Sequence, residues 1–200
     1  VERVTNAPAT VLDEVGNTLL AAASNLLATE GAGALTVRRM AADAGMSTMN
    51  VYSRFGGKNG VVEHLFLRGF ELLASGMNAI ESTDDPLADL RACGRSYRRF
   101  ALDHPTLYSV MFERIVADYE PTPTALASGL ATLQQLADRL QRCMDAGIIR
   151  SAPPLHAAAM VWATCHGAVS LELKQKLAVA VDWEAVFVDA TDAVIRGLGG

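Results

Sequence analysis

No uncharged apolar run in this 200-residue chain reaches the roughly 18 residues that a membrane span requires. The richest run, Ala157 to Leu171, is interrupted by Thr164, His166 and Ser170 and meets Glu172 at its end. Cysteine is scarce. Cys93, Cys143 and Cys165 are odd in number and widely spaced, which fits a reducing cytoplasm and gives no metal-ligand cluster. Each reads as a small buried hydrophobe. Catalytic signatures are missing as well: no G-x-S-x-G, H-E-x-x-H, P-loop or G-x-G-x-x-G occurs. Cys165 and His166 are adjacent, so on a helix they point about 100° apart, a poor geometry for a nucleophile–base pair. The sequence therefore predicts no enzyme, no cofactor and no metal site. Residues 1–17 carry three acids, one base and no apolar block, so no secretory signal is expected and a cytoplasmic location is. The net charge of −5 argues against a general nucleic-acid coat protein.

What is present centres on Leu35 to Leu65. Thr36 can cap a short helix whose apolar face is Val37, Met40, Ala41 and Ala44. Ala44-Gly45-Met46 reads as a turn, because Gly45 tolerates a positive φ. Ser47 then caps a second helix reaching about Phe55, with Val51 and Phe55 on its buried side. Thr48, Asn50, Tyr52, Ser53 and Arg54 supply hydrogen-bonding groups around the remainder. Between residues 36 and 58, Arg38, Arg39, Arg54 and Lys58 oppose Asp43 alone, a local excess of three positive charges on an acidic chain. Helix, glycine turn and polar second helix is the helix-turn-helix arrangement, whose second helix enters the DNA major groove. Short helices joined through glycine also occur in helical proteins that never meet DNA, so the pattern alone leaves both readings open.

The segment LTVRRMAADAGMSTMNVYSRFGGKNGVVEHLF resembles the DNA-binding segment of the tetracycline-repressor (TetR) family of bacterial regulators. The resemblance rests on Leu35-Thr36, the Ala44-Gly45-Met46-Ser47 turn, Tyr52 and Phe55 three apart, and Lys58 beyond them. Downstream, Trp162, His166 and Gly167 are similar to the Trp-His-Gly class of TetR C-terminal domains, as are His104 to Tyr108 and Met111-Phe112. Met49 and Asn50 depart from the smaller residues that many members carry. The resemblance implies a homodimeric repressor released from a palindromic double-stranded operator by a small, largely apolar effector. The alternative is a helical cytosolic enzyme or small-molecule-binding protein with a purely structural head.

On the head, Thr48 and Asn50 lie in the first turns of the second helix, where base edges are met, and asparagine suits bidentate pairing with adenine. Arg38 resembles a base-contacting arginine of the tetracycline repressor. Thr36, Tyr52 and Lys58 are expected to hold phosphates, Ser47 to stand at the same surface, and Arg54 to take either role.

Helical spacing predicts an all-α fold: three helices in an N-terminal head (residues 9–57) and six in a C-terminal body (residues 58–200). The first helix, with Leu12, Val15, Leu19, Ala22, Ala23, Leu26 and Leu27 at helical spacing, is expected to cover the two short ones. The fourth starts at Lys58 and runs to about Glu81, the fifth follows Pro86, and the sixth runs from His104-Pro105 to about Ala117. The seventh buries Leu126, Leu130, Leu133, Ala137, Leu140 and Met144; the eighth runs from Pro154 to about Leu177; the last is capped by Asp182. Arg91, Arg95, Arg98 and Arg99 read as a solvated face. Tyr108, Met111, Phe112, Leu133, Trp162 and His166 are the candidates for an effector pocket, although such stripes are equally often plain core. By resemblance the last two helices form the dimer surface, with Val186 and Phe187 on it.

Overall fold

The computed structural model describes residues 12–174 and 180–199. Nine α-helices and one 3₁₀ turn form its regular structure, and no strand occurs among the described residues. The head holds α1 (Glu14–Thr29), α2 (Val37–Asp43) and α3 (Thr48–Phe55). The body holds α4 (Lys58–Asn78), α5 (Pro86–Asp103), α6 (Pro105–Phe112), α7 (Pro123–Asp145), α8 (Pro154–Lys174) and α9 (Trp183–Gly199). No described helix is long and apolar enough to cross a membrane. By contacts the chain divides into two compact units. One takes the described residues of Val1–Glu71 with His104–Gly129; the other takes Leu72–Asp103 with the described residues of Leu130–Gly200.

In the first unit, Asp13 caps α1 by accepting from the Gly16 amide at 2.8 Å. Leu19, Ala23, Leu26 and Leu27 are buried, and α1 packs on α2, α3 and α6. An aromatic cluster completes the core. Phe70 stands 5.0 Å from Phe66 and 5.7 Å from Phe112, and Tyr108 stands 5.1 Å from Phe112. Here two expectations are corrected. The sixth helix ends at Phe112, not near Ala117, because Arg114 turns the chain with φ +48° and brings Val116 and Tyr119 into the core. Burial of two large side chains outweighs continued helix. Tyr119 and Thr122 then donate to Glu63 on α4. The N-terminal part of α7 is also rotated from the predicted face. Leu126 and Leu130 are exposed, whereas Ala125 and Ser128 are buried. The Phe70 ring stands where a Cβ on Gly129 would lie 3.1 Å away, so only small residues fit that side.

The second unit is built on α5, α8 and α9, with α8 packed on both others. Cys93, Tyr97 and Phe100 of α5, Val161, Cys165 and Val169 of α8, and Phe187, Ile195 and Leu198 of α9 are buried. Phe187, expected on a dimer surface, is 2% exposed with its ring facing Gly94, so it belongs to the core of this unit. Two of the four α5 arginines are likewise anchored. Arg91 pairs with Asp192 at 2.9 Å and Arg98 with Glu172 at 2.7 Å, while Arg95 and Arg99 stay in solvent. Asp89 is buried and holds Arg142 at 2.7 Å and the Thr83 amide at 2.9 Å. The Arg142 bond first, then those from Thr83, keep its carboxyl down at about 2. The fourth helix stops at Asn78, where Arg139 takes the Met77 and Ile80 carbonyls at 2.8 and 3.0 Å. Asp182 caps α9 through the Ala185 amide at 3.0 Å, as its position predicts. The predicted end of the eighth helix near Leu177 lies outside the described residues.

Candidate nucleic-acid interface

The two short helices of the head are fixed at their ends by the chain itself. Thr36 accepts from the Arg39 amide at 3.2 Å and caps α2. At the other end the Met46 amide donates to the Ala41 carbonyl at 2.8 Å and the Gly45 amide to the Ala42 carbonyl at 3.0 Å. With Gly45 at φ +66° this is a Schellman closure, which satisfies carbonyls that helix ends leave free. The chain leaves the turn extended at Ser47 and enters α3. Ser47 occupies the cap position by its backbone, but its hydroxyl makes no cap bond. It accepts instead from the Asn50 side chain at 3.2 Å. Val51 and Phe55 are buried, and the Phe55 ring meets His64 of α4 edge-on at 5.0 Å. Gly56 (φ +72°) and Gly57 (φ +138°) then swing the chain into α4, which passes so close to α3 that a methyl on Gly60 would overlap the Phe55 carbonyl.

The outer side of α3 carries Thr48, Met49, Tyr52 and Ser53, all exposed. Met49 is 70% exposed and Tyr52 54%. Met49 was not among the predicted site residues; the signal available for it was its place in the first turn. Thr36, Arg38 and Ser47 are exposed, and Asn50 is half-buried.

Electrostatics redistribute the basic patch. Arg39 pairs with Glu30 at 2.7 Å and lies 3.7 Å from Asp43; the Glu30 bond raises its pKa above the usual value. Arg54 grips Asp13 at 2.6 Å, and that bond, with the Gly16 amide second, holds the Asp13 carboxyl at about 2. Lys58 lies 3.4 Å from Asp118, whose carbonyl also accepts from Asn59 at 3.2 Å. Only Arg38 of the four cations has no ion-pair partner among the described residues. The acids Asp13, Glu30 and Asp118 all lie outside the window from which local charge is read.

The six pocket candidates fall in two sets. Tyr108 and Met111 are buried and Phe112 half-buried in the first unit, within or beside its aromatic cluster. In the second unit Leu133 and His166 are half-buried and Trp162 is 36% exposed. The Trp162 and His166 rings stand 5.7 Å apart, and His166 Nδ1 lies 3.1 Å from the Tyr97 hydroxyl. Burial pushes the Cys93 thiol up to about 11 and the Cys165 thiol up to about 12, away from the thiolate that a nucleophile needs. Among the described residues no group of three or more His, Cys, Asp or Glu is placed to hold a metal ion.

Residues 19–65 match the family model described as bacterial regulatory proteins, tetR family. Residues 90–194, more than half of the chain, match the model described as tetracyclin repressor-like, C-terminal domain. The chain belongs to the TetR family. As such it is a DNA-binding transcriptional regulator with a helix-turn-helix head. The C-terminal match spans Trp162, His166 and Gly167. Solved structures share the TetR fold along nearly the whole chain. A protein of unknown function from Rhodococcus sp. RHA1 is 23% identical with a TM-score of 0.80, over 97% of this chain and all of that one. The TetR family transcriptional regulator PfmR from Thermus thermophilus is 20% identical with a TM-score of 0.72, over 90% and 98%. The fatty acid degradation regulator FadR from Bacillus halodurans is 16% identical with a TM-score of 0.76, over 94% and 98%. No curated protein matches the sequence.

For this TetR-family head the α3–α4 joint is a contact that cannot yield, since the obstacle at Gly60 is backbone. Gly60→Ala is expected to destabilise the protein by about 1–3 kcal/mol, as overpacking does. Thermal denaturation of the full chain measures it, and an unchanged midpoint would show that the joint has slack.

Proposed function

We propose that the chain is a homodimeric repressor that reads a palindromic operator through residues 9–57 and is released by a small, largely apolar effector bound within residues 58–200. The observation that carries the reading is the outer side of α3: polar and apolar side chains suited to base edges stand exposed on a short helix that two turns and a buried face hold in place. Thr48 and Asn50 meet base edges, Arg38 takes guanine, and Thr36, Ser47, Tyr52 and Lys58 hold phosphates. The Lys58–Asp118 pair is a surface contact of small worth, so a phosphate can replace the carboxylate. Lys58→Ala is expected to weaken all duplexes alike and to flatten the slope of log affinity against log salt by about 0.9. Anisotropy titrations at several salt concentrations measure that slope. A sequence-dependent loss would reassign Lys58 to base reading.

Support for the dimer comes from α8 and α9. Met160, Ala163, Gly167 and Leu171 recur at helical spacing, with Met160 and Leu171 exposed at its two ends. Val186 and Val188 add exposed apolar surface on α9. Small residues in such a stripe let a second copy approach closely. Two heads related by a two-fold axis suit half-sites about 34–36 Å apart or a multiple of that. Val186→Asp is expected to give a folded monomer in sedimentation at low protein concentration. A persisting dimer would place the interface elsewhere.

The effector reading rests on the extent of the body, whose helices exceed what reading DNA or pairing two copies requires. An effector loosens the operator only by binding one arrangement of the heads better than the other. A coupling of about 1–3 kcal/mol lowers operator affinity by about 5- to 150-fold. Trp162 reports binding in a Trp183→Phe variant, so candidate compounds can be titrated by fluorescence beside operator binding. Compounds that bind without changing operator affinity would make the body a dimerisation platform alone.

A further inference from the structure

Arg54 is the head cation that sequence leaves between two roles, and its surroundings favour a third. Its Nε donates to Asp13 Oδ1 at 2.8 Å and to Oδ2 at 3.1 Å, and its Nη2 donates to Oδ2 at 2.6 Å. This is the fork-on-carboxylate grip that fixes a guanidinium in plane as well as in place. The remaining nitrogen, Nη1, donates to Asn50 Oδ1 at 3.0 Å and to Ser53 Oγ at 3.4 Å. Asn50 Nδ2 donates in turn to Ser47 Oγ at 3.2 Å. Asp13 is itself rooted, because it caps α1 through the Gly16 amide.

We propose that Arg54 is a positioning residue: anchored by Asp13, it orients the Asn50 amide so that the amide can read adenine. An amide oxygen has two lone pairs and an amide nitrogen two hydrogens. Arg54 takes one lone pair and Ser47 one hydrogen. One of each is left over, the pair that bidentate contact with adenine N6 and N7 requires. The donor at one end and the acceptor at the other also decide which way round the amide lies. A free Asn side chain would lose this order on every encounter with DNA. All three Arg54 nitrogens are engaged inside the head, which argues against a phosphate contact.

The inference rests on the reading of Asn50 as an adenine contact, and the test separates the two. The full chain selects binders from a randomised duplex library, and each base pair of the enriched duplex is then replaced in turn. Asn50→Ala is expected to abolish a discrimination of about 5- to 150-fold at one A·T pair per half-site. Arg54→Lys keeps the charge but not the fork, and Asp13→Ser keeps the α1 cap but cannot reach Arg54. Each is expected to lower discrimination at that same pair by about five-fold, with the other positions unchanged and, for Arg54→Lys, the salt slope unchanged as well. A phosphate role predicts the reverse for Arg54→Lys, a retained preference at every position. That result, or a silent Asp13→Ser with native helical circular dichroism, would overturn the positioning role. Should Asn50→Ala leave every preference intact, the adenine reading falls and the positioning role with it.

Discussion

Neither α2, at seven residues, nor α3, at eight, is long enough to hold itself helical in water. Both depend on burying Met40, Ala41, Val51 and Phe55 in the head, where α1 packs on both helices. That dependence explains the composition of α1. Leu19, Leu26 and Leu27 provide apolar area, and Ala23 between them keeps the helices close. The outward side of α3 is then free of any structural duty. Thr48, Met49, Tyr52 and Ser53 stand exposed there, and none of them contributes to the buried face that holds the head together.

The same division runs through the polar groups. Backbone bonds close the α2–α3 turn, and Gly45 is needed there because the closure requires a left-handed residue. Side-chain bonds do a different task. They tie α3 back to Asp13, α2 back to Glu30, and the start of α4 to Asp118 and, through Glu63, to Tyr119 and Thr122. The first unit thus joins segments up to 60 residues apart in sequence through carboxylates. In the second unit Asp89, Glu172 and Asp192 play the corresponding part for Arg142, Arg98 and Arg91.

Features with local causes were legible from sequence. The helix count, the Gly45 turn, the Thr36 and Asp182 caps and the buried pair Val51 and Phe55 all depend on residues a few positions apart. The exposure of Thr36, Arg38, Ser47, Thr48 and Tyr52 was legible for the same reason. Features set by distant neighbours were not. The face of α7 turns on Phe70, which a helical-period count on α7 never sees. The end of α6 turns on Tyr119 and its bond to Glu63. Phe187 lies on an apolar stripe that serves two interfaces in principle, and only its place against Gly94 assigns it to the core. The charge of the basic patch was read only in part, because a count over residues 36–58 omits the carboxylates that fold back onto it.

Those carboxylates bear on how such a protein finds its address. A genome offers about 10⁶–10⁹ competing sites, and affinity for random duplex comes almost wholly from cations that displace counterions. Here Arg39 and Arg54 already have internal counterions, so random sequence gains little by attracting them. A cation that stays paired within the head releases no counterions from DNA, so these pairs lower the part of the affinity that is independent of sequence.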